Sequence, residues 1–280
     1  MPEEKNGIYF RKWGVKKSKA VIIAVHGMGA HTDRWKFLAE FMNAKKIAVY
    51  AIELKGYGVL AQEPGYAKSF KVYYRDIAAL KAMAISENPN APVFIIGESM
   101  GGLIAHMNLI EYDQNYSGVI EVSPAYMDNM KMSLGYRLNI FLNSVINPKR
   151  PFAMPFKSEE LTHDKAVLQW LKKEKKEHRF AAAGPLKEIL LKQIKAGFKT
   201  GSIKIPALFL IADQDYLINT KSMESIFGKI KSEKRLIKYE NTFHALTIEK
   251  DRKRIFADIH KWITETAKKS GGIQNTKWKN

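Results

Sequence analysis

Ala20-Val21-Ile22-Ile23-Ala24-Val25 is an uninterrupted apolar run with no polar position left for a solvent-facing side. A strand of this kind must be buried on both faces, which suits a parallel sheet covered by helices. Comparable strand-like segments are read at 8–13, 47–52, 93–96, 118–122, 206–211 and 235–239. Helical spacing separates them: Trp35, Leu38, Ala39 and Met42 mark 33–44, and further helices are expected at 73–86, 103–112, 221–229 and 252–266. The alternation predicts an α/β fold with a mostly parallel central sheet flanked by helices. After Ser123-Pro124 the pattern changes, and up to Lys204 the chain reads as helices and loops with no clear strand. Leu134, Leu138, Phe141, Leu142 and Val145 form one apolar stripe there, and Leu186, Ile189, Leu190 and Ile194 another. The expected organisation is a core made of 1–123 and 205–280, an inserted helical cap over 124–204, and a frayed polar tail over 268–280.

Composition narrows the classes of function. Of the 280 residues, 46% are hydrophobic and 26% charged, which is incompatible with a disordered chain. No apolar run approaches the roughly 18 residues that span a bilayer. The absence of cysteine excludes disulfides, thiol nucleophiles and cysteine-ligated zinc. Glu3 and Glu4 stand where a secretory signal would be basic, so a cytoplasmic protein is expected. The formal net charge of +18 suits either general lysine richness or attraction to an anionic membrane surface. Nucleic acid is disfavoured as a partner, because no zinc-finger spacing, RNP-type motif or Walker sequence accompanies the charge.

The residues that could carry chemistry are ordered along the chain. Gly97-Glu98-Ser99-Met100-Gly101-Gly102 follows the strand 93–96 and precedes a helical pattern. A serine on such a strand-to-helix turn exposes its hydroxyl, and the flanking glycines clear space for the turn, so Ser99 is the candidate nucleophile. A serine hydroxyl needs a base. Of seven histidines, His244 follows the strand 235–239 in a loop that opens on the carboxyl edge of a parallel sheet, where Ser99 also lies. The base needs an acid to orient it, and the loop after 206–211 offers Asp213 and Asp215, either of which could equally be a turn residue. Backbone amides must hold the oxyanion; Met100 follows the nucleophile, and Met28 lies in the glycine-bearing loop Val25-His26-Gly27-Met28-Gly29-Ala30.

Together with Arg34-Trp35, Glu53-Leu54-Lys55-Gly56-Tyr57-Gly58, Tyr74-Arg75-Asp76 and Ala212-Asp213-Gln214-Asp215, these motifs resemble the monoacylglycerol lipase and lysophospholipase branch of the α/β-hydrolases. The resemblance covers nearly the whole chain outside the insertion. It implies the α/β-hydrolase fold, a Ser, Asp, His triad, and a cap inserted after the sixth core strand. It also implies Asp215 as the acid, three residues after Ala212, which stands where the family has glycine. Glu53 replaces a usual aspartate and Leu60 a usual serine, both at structural positions.

The expected activity is therefore hydrolysis of carboxylic esters, most of all single-acyl lipids, through an acyl-enzyme and without cofactor or metal. Small-ester or aryl-ester hydrolysis is the alternative within enzymes, and a lipid- or partner-binding protein the non-enzymatic one. A peptidase would need acidic residues to hold a substrate amine, and this basic insertion offers few. Tyr136, Phe141, Leu142 and Val145 are the cap candidates for substrate contact. Lys131, Arg137, Lys149, Arg150 and the run Lys172-Lys173-Glu174-Lys175-Lys176 suggest, beside the bland reading as solvated faces, peripheral association with an anionic membrane.

Overall fold

The computed structural model describes residues 2–274. Its elements in chain order are β1 (Glu3–Lys5), β2 (Ile8–Trp13), β3 (Ala20–Val25), α1 (Lys36–Asn43), β4 (Ile47–Ile52), α2 (Phe70–Glu87), β5 (Val93–Glu98), α3 (Met100–Glu111) and β6 (Gly118–Val122). Then come α4 (Leu134–Ile146), β7 (Pro151–Ala153), α5 (Lys165–Lys173), β8 (Phe180–Ala182) and α6 (Ala183–Lys199). The chain closes with β9 (Ala207–Ala212), α7 (Thr220–Lys229), β10 (Lys234–Tyr239) and α8 (Arg252–Gln274).

Eight strands form one sheet in the order β1-β2-β4-β3-β5-β6-β9-β10. Strands β4, β3, β5, β6, β9 and β10 run parallel, while β2 is antiparallel to both β4 and β1. Every residue of β3, β4, β5, β6 and β9 is buried; β3, β4 and β9 are unbroken apolar runs, while β5 and β6 each bury one glutamate, Glu98 and Glu121. Alternate side chains of β3 serve opposite layers. Val21, Ile23 and Val25 pack in the layer holding α2 and α3, and Ala20, Ile22 and Ala24 in that holding α1 and α8. Each such isoleucine or valine stabilises the fold by roughly 1.5–3 kcal/mol through burial. Because the central strands are parallel, the loops after β3, β5, β9 and β10 open at one common edge, which brings together residues far apart in sequence.

Between β6 and β9 lie α4, α5, α6 and the antiparallel pair β7–β8, none of which joins the main sheet. The expectation of no strand in this segment is corrected by that pair. Its strands have three residues each, too short for any periodicity to register. The final helix is also longer than expected: α8 continues through Gln274, so 268–274 is helical and only 275–280 of the expected frayed tail lies outside the described residues.

Candidate active site

Ser99 occupies the turn between β5 and α3 with φ 57° and ψ −120°, a left-handed conformation that costs a non-glycine residue about 1–3 kcal/mol. The surroundings hold it there. Its N–H donates to the Val122 carbonyl at 2.9 Å, and its own carbonyl accepts from Leu103 at 3.2 Å and Ala125 at 3.0 Å. The flanking glycines are sterically required: a Cβ on Gly97 would lie 2.2 Å from the Gly101 carbonyl oxygen, and one on Gly101 would lie 2.1 Å from that of Val25. The turn therefore projects the Ser99 side chain into a cavity of about 240 Å³ whose wall also includes His244, Met28 and Met100.

His244 comes from the loop after β10 and is 3% exposed. Its Nδ1 lies 2.7 Å from Asp215 Oδ2, while Nε2 is buried with no hydrogen-bond partner among the described residues. Asp215 Oδ1 accepts from the amides of Leu217 and Ile218, both at 2.9 Å, so one carboxylate shapes its own turn and orients the imidazole. Asp213 has a different place: its Oδ1 accepts from Thr242 N–H at 3.2 Å and braces the loop that carries His244. Burial opposes charge on His244, but Asp215's charge and hydrogen bond, with a contribution from Glu98, outweigh it and raise the pKa above the ordinary histidine value. Glu98 is buried beside Ser99 and accepts from Thr247 N–H and Oγ1, at 3.1 and 2.8 Å. Burial pushes its pKa up.

Met100 begins α3, and the first amides of a helix have no intrahelical acceptor. Met28 lies in the loop after β3, whose conformation is set by His26. That imidazole donates from Nδ1 to the Gly27 carbonyl at 2.9 Å and accepts at Nε2 from Leu54 N–H at 3.1 Å, which fixes its tautomer. Burial lowers the His26 pKa, in keeping with a neutral ring.

The insertion closes over this edge through contacts the sequence did not single out. Arg34 Nε and Nη2 meet the two carboxylate oxygens of Glu177 at 2.6 and 2.9 Å. His178 N–H donates to the Gly29 carbonyl at 3.2 Å, and its Nε2 donates to that of Gly56 at 3.1 Å, the ring stacking on Tyr57. Gly29 has φ 75°, and a Cβ there would fall 2.0 Å from the His178 carbonyl oxygen. No local pattern could reveal a partnership between residues 143 positions apart.

Of the expected substrate contacts in the insertion, Phe141 lines the cavity, joined by Ile140 and Leu190. Tyr136, Leu142 and Val145 are not in its wall. Tyr136 turns aside to donate to the Ala153 carbonyl and pack on Phe152, and Leu142 and Val145 are exposed on α4, outside the Arg137, Ile140 and Phe141 positions that reach the cavity. The basic cluster is partly neutralised. Lys176 pairs with Asp33, Lys172 with Glu159, Arg137 with Asp128 and Lys149 with Glu63.

The sequence profile of a hydrolase family described as serine aminopeptidase, S33, matches residues 16–251. The chain belongs to this family. It is an α/β-hydrolase, as the motif resemblance implied, and the relatives it matches include the monoacylglycerol lipase branch. It is 24% identical to the monoglyceride lipase of Homo sapiens over 259 residues, covering 90% of this chain and 85% of that protein. An uncharacterized abhydrolase domain-containing protein of Dictyostelium discoideum is 25% identical over 270 residues, 95% of this chain but 28% of that longer protein. In fold, the chain matches a soluble variant of monoglyceride lipase from Saccharomyces cerevisiae, crystallised with a substrate analog. The TM-score is 0.85 at 16% identity, covering 95% of this chain and 94% of that one.

Proposed function

We propose that the protein hydrolyses carboxylic esters carrying a single acyl chain, through an acyl-enzyme, with residues 124–204 as a lid over the site. Ser99 Oγ attacks the ester carbonyl as its proton passes to His244 Nε2, and the Met28 and Met100 amides hold the oxyanion. Asp215 keeps the tautomer that leaves Nε2 free to accept, and stabilises the imidazolium that forms. His244 then protonates the departing alcohol, and water, activated by the same base, releases the acid. The observation that carries this reading is the Asp215–His244 contact, whose unpartnered Nε2 shares one mainly apolar cavity with Ser99.

An aminopeptidase activity, which the family's description suggests, finds less support. The carboxylates in the wall are engaged: Glu177 with Arg34, Asp128 with Arg137, and Glu98 with Thr247. A substrate amine would have to displace one of these partners. An acyl chain needs only apolar contact, which Phe141, Phe156, Leu186 and Ile189 provide.

Turnover of p-nitrophenyl esters and monoacylglycerols of graded chain length, measured across pH, tests the proposal. Rates should rise from acetate towards medium and long chains. Because the base must be neutral and its pKa is raised, the acid limb of kcat/KM should lie above pH 6.5. Preference for acetate would favour the small-ester alternative, and an acid limb below pH 6 would count against His244 as the base.

The outer face of the insertion supports peripheral membrane binding. Leu134, Val145, Ile146 and Phe198 are 70–83% exposed, and Phe141 and Leu190 belong both to this face and to the cavity. Such a patch gains from burial in lipid. No helix among the described residues is long and apolar enough to cross a membrane. The Ser99→Ala protein should co-sediment with vesicles rich in anionic lipid at low salt, and Val145→Glu with Ile146→Glu should weaken this severalfold. Failure of the parent to co-sediment would remove the idea.

A further inference from the structure

The cavity wall contains two cations, Arg179 and Lys187, that form no ion pair among the described residues. Arg179 is the better placed. Its guanidinium lies over the Phe156 ring, 4.8 Å from the centroid, and Nη2 donates to Ser158 Oγ. A guanidinium has five N–H donors, and one is used. Its backbone is tied down: the Arg179 carbonyl accepts from Met154 N–H at 2.8 Å, and the preceding His178 is bonded to Gly29, in the same loop as Met28. The backbone at Arg179 is thus fixed beside the loop that carries Met28, and the guanidinium, held at Phe156 and Ser158 in the cavity wall, has most of its donors unfilled.

Nearby acids do not supply the missing partner. Glu177 is committed to Arg34, Glu159 to Lys172, and Glu160 accepts from Lys157 N–H at 2.7 Å. Burial depresses the Arg179 pKa from the ordinary arginine value; the guanidinium stays charged, and an anion delivered to it would offset the cost of holding that charge out of water. A ring-stacked, half-buried guanidinium with free donors suits a planar or tetrahedral oxyanion better than the hydroxyls of glycerol.

We propose that Arg179 is a specificity-determining residue that selects single-acyl esters whose alcohol part bears a phosphate or similar anionic group over neutral esters of the same chain, with Lys187 adding long-range attraction. This rests on the ester-hydrolase reading above.

The test compares kcat/KM for 1-acylglycerol phosphate and for the monoacylglycerol of equal chain length, both below their aggregation limits. The parent should prefer the phosphate ester. In Arg179→Ala that ratio should fall by about ten- to a hundredfold, the value of a charge-assisted hydrogen bond. Arg179→Lys, which keeps the charge and loses the fork, should recover part of it. No preference in the parent, or an equal fall for both substrates, overturns the proposal. Binding of non-hydrolysable ether analogues to the same proteins separates the two readings: anion-selective binding that depends on Arg179 without ester turnover sinks the hydrolase reading and leaves the anion site standing. Competition by inorganic phosphate as strong as that of the ether-lipid phosphate would overturn the lipid source.

Discussion

Ser99→Ala should lower ester turnover by at least about a thousandfold, and His244→Ala should match it, because nucleophile and base act as one unit and residual rates reflect binding and oxyanion contacts alone. The fold should survive both changes. A second substitution at the same position separates chemistry from strain. Ser99 sits at φ 57°, where any Cβ is penalised, so Ser99→Ala keeps the strain while Ser99→Gly releases it. Set against the greater freedom of glycine in the unfolded chain, a net gain of roughly 1 kcal/mol for Ser99→Gly over Ser99→Ala is expected in denaturant titration. Both proteins should be equally inactive. More than a tenth of parental activity in Ser99→Ala would rule out Ser99 as nucleophile, and a Ser99→Gly protein less stable than Ser99→Ala would show that the turn is unstrained.

The second large effect is on stability. His106 and Glu121 are both fully buried, His106 on α3 and Glu121 in the central strand β6. His106 Nδ1 lies 2.8 Å from Glu121 Oε1 and Nε2 lies 2.9 Å from Thr200 Oγ1, while the Tyr126 hydroxyl donates to Glu121 Oε2. Removing one member leaves a polar atom of its partner buried with its main contact gone, which typically costs about 3–5 kcal/mol. Glu121→Leu or His106→Leu should show that loss in urea unfolding, and the double variant should lose less than the sum of the two. Additive losses would mean that the pair does not interact energetically.

Much of the core was legible because its signals are local. A short unbroken apolar run such as 20–25, rich in β-branched residues, suits a doubly covered strand, and Gly-x-Ser-x-Gly between a strand and a helix needs nothing distant to be recognised. Legibility declined where the deciding contact is long-range. Asp213 and Asp215 are indistinguishable as turn residues, and the choice rested on family resemblance; only the fold shows one carboxylate at His244 and the other at the Thr242 amide. Glu121 reads as an interruption in the strand Gly118-Val119-Ile120-Glu121-Val122, because its partner is contributed by another element. The stripe on α4 is apolar, as its spacing predicts, yet apolarity does not say which residues reach the cavity, and Phe141 is indistinguishable in sequence from Leu142 and Val145.

The contacts of residues 177 and 178 with Arg34 and Gly29 have a consequence for how such a protein can be altered. The insertion is not an interchangeable attachment set on an independent platform. Arg34 is buried and requires the Glu177 carboxylate, and position 29 has no room for a side chain while the His178 carbonyl stands against it. Residues on both sides of the junction must therefore change in concert, and a segment transplanted from another hydrolase would carry its own demands into the loop that contains Met28. The insertion and the loop after β3 are in this sense inherited as one piece.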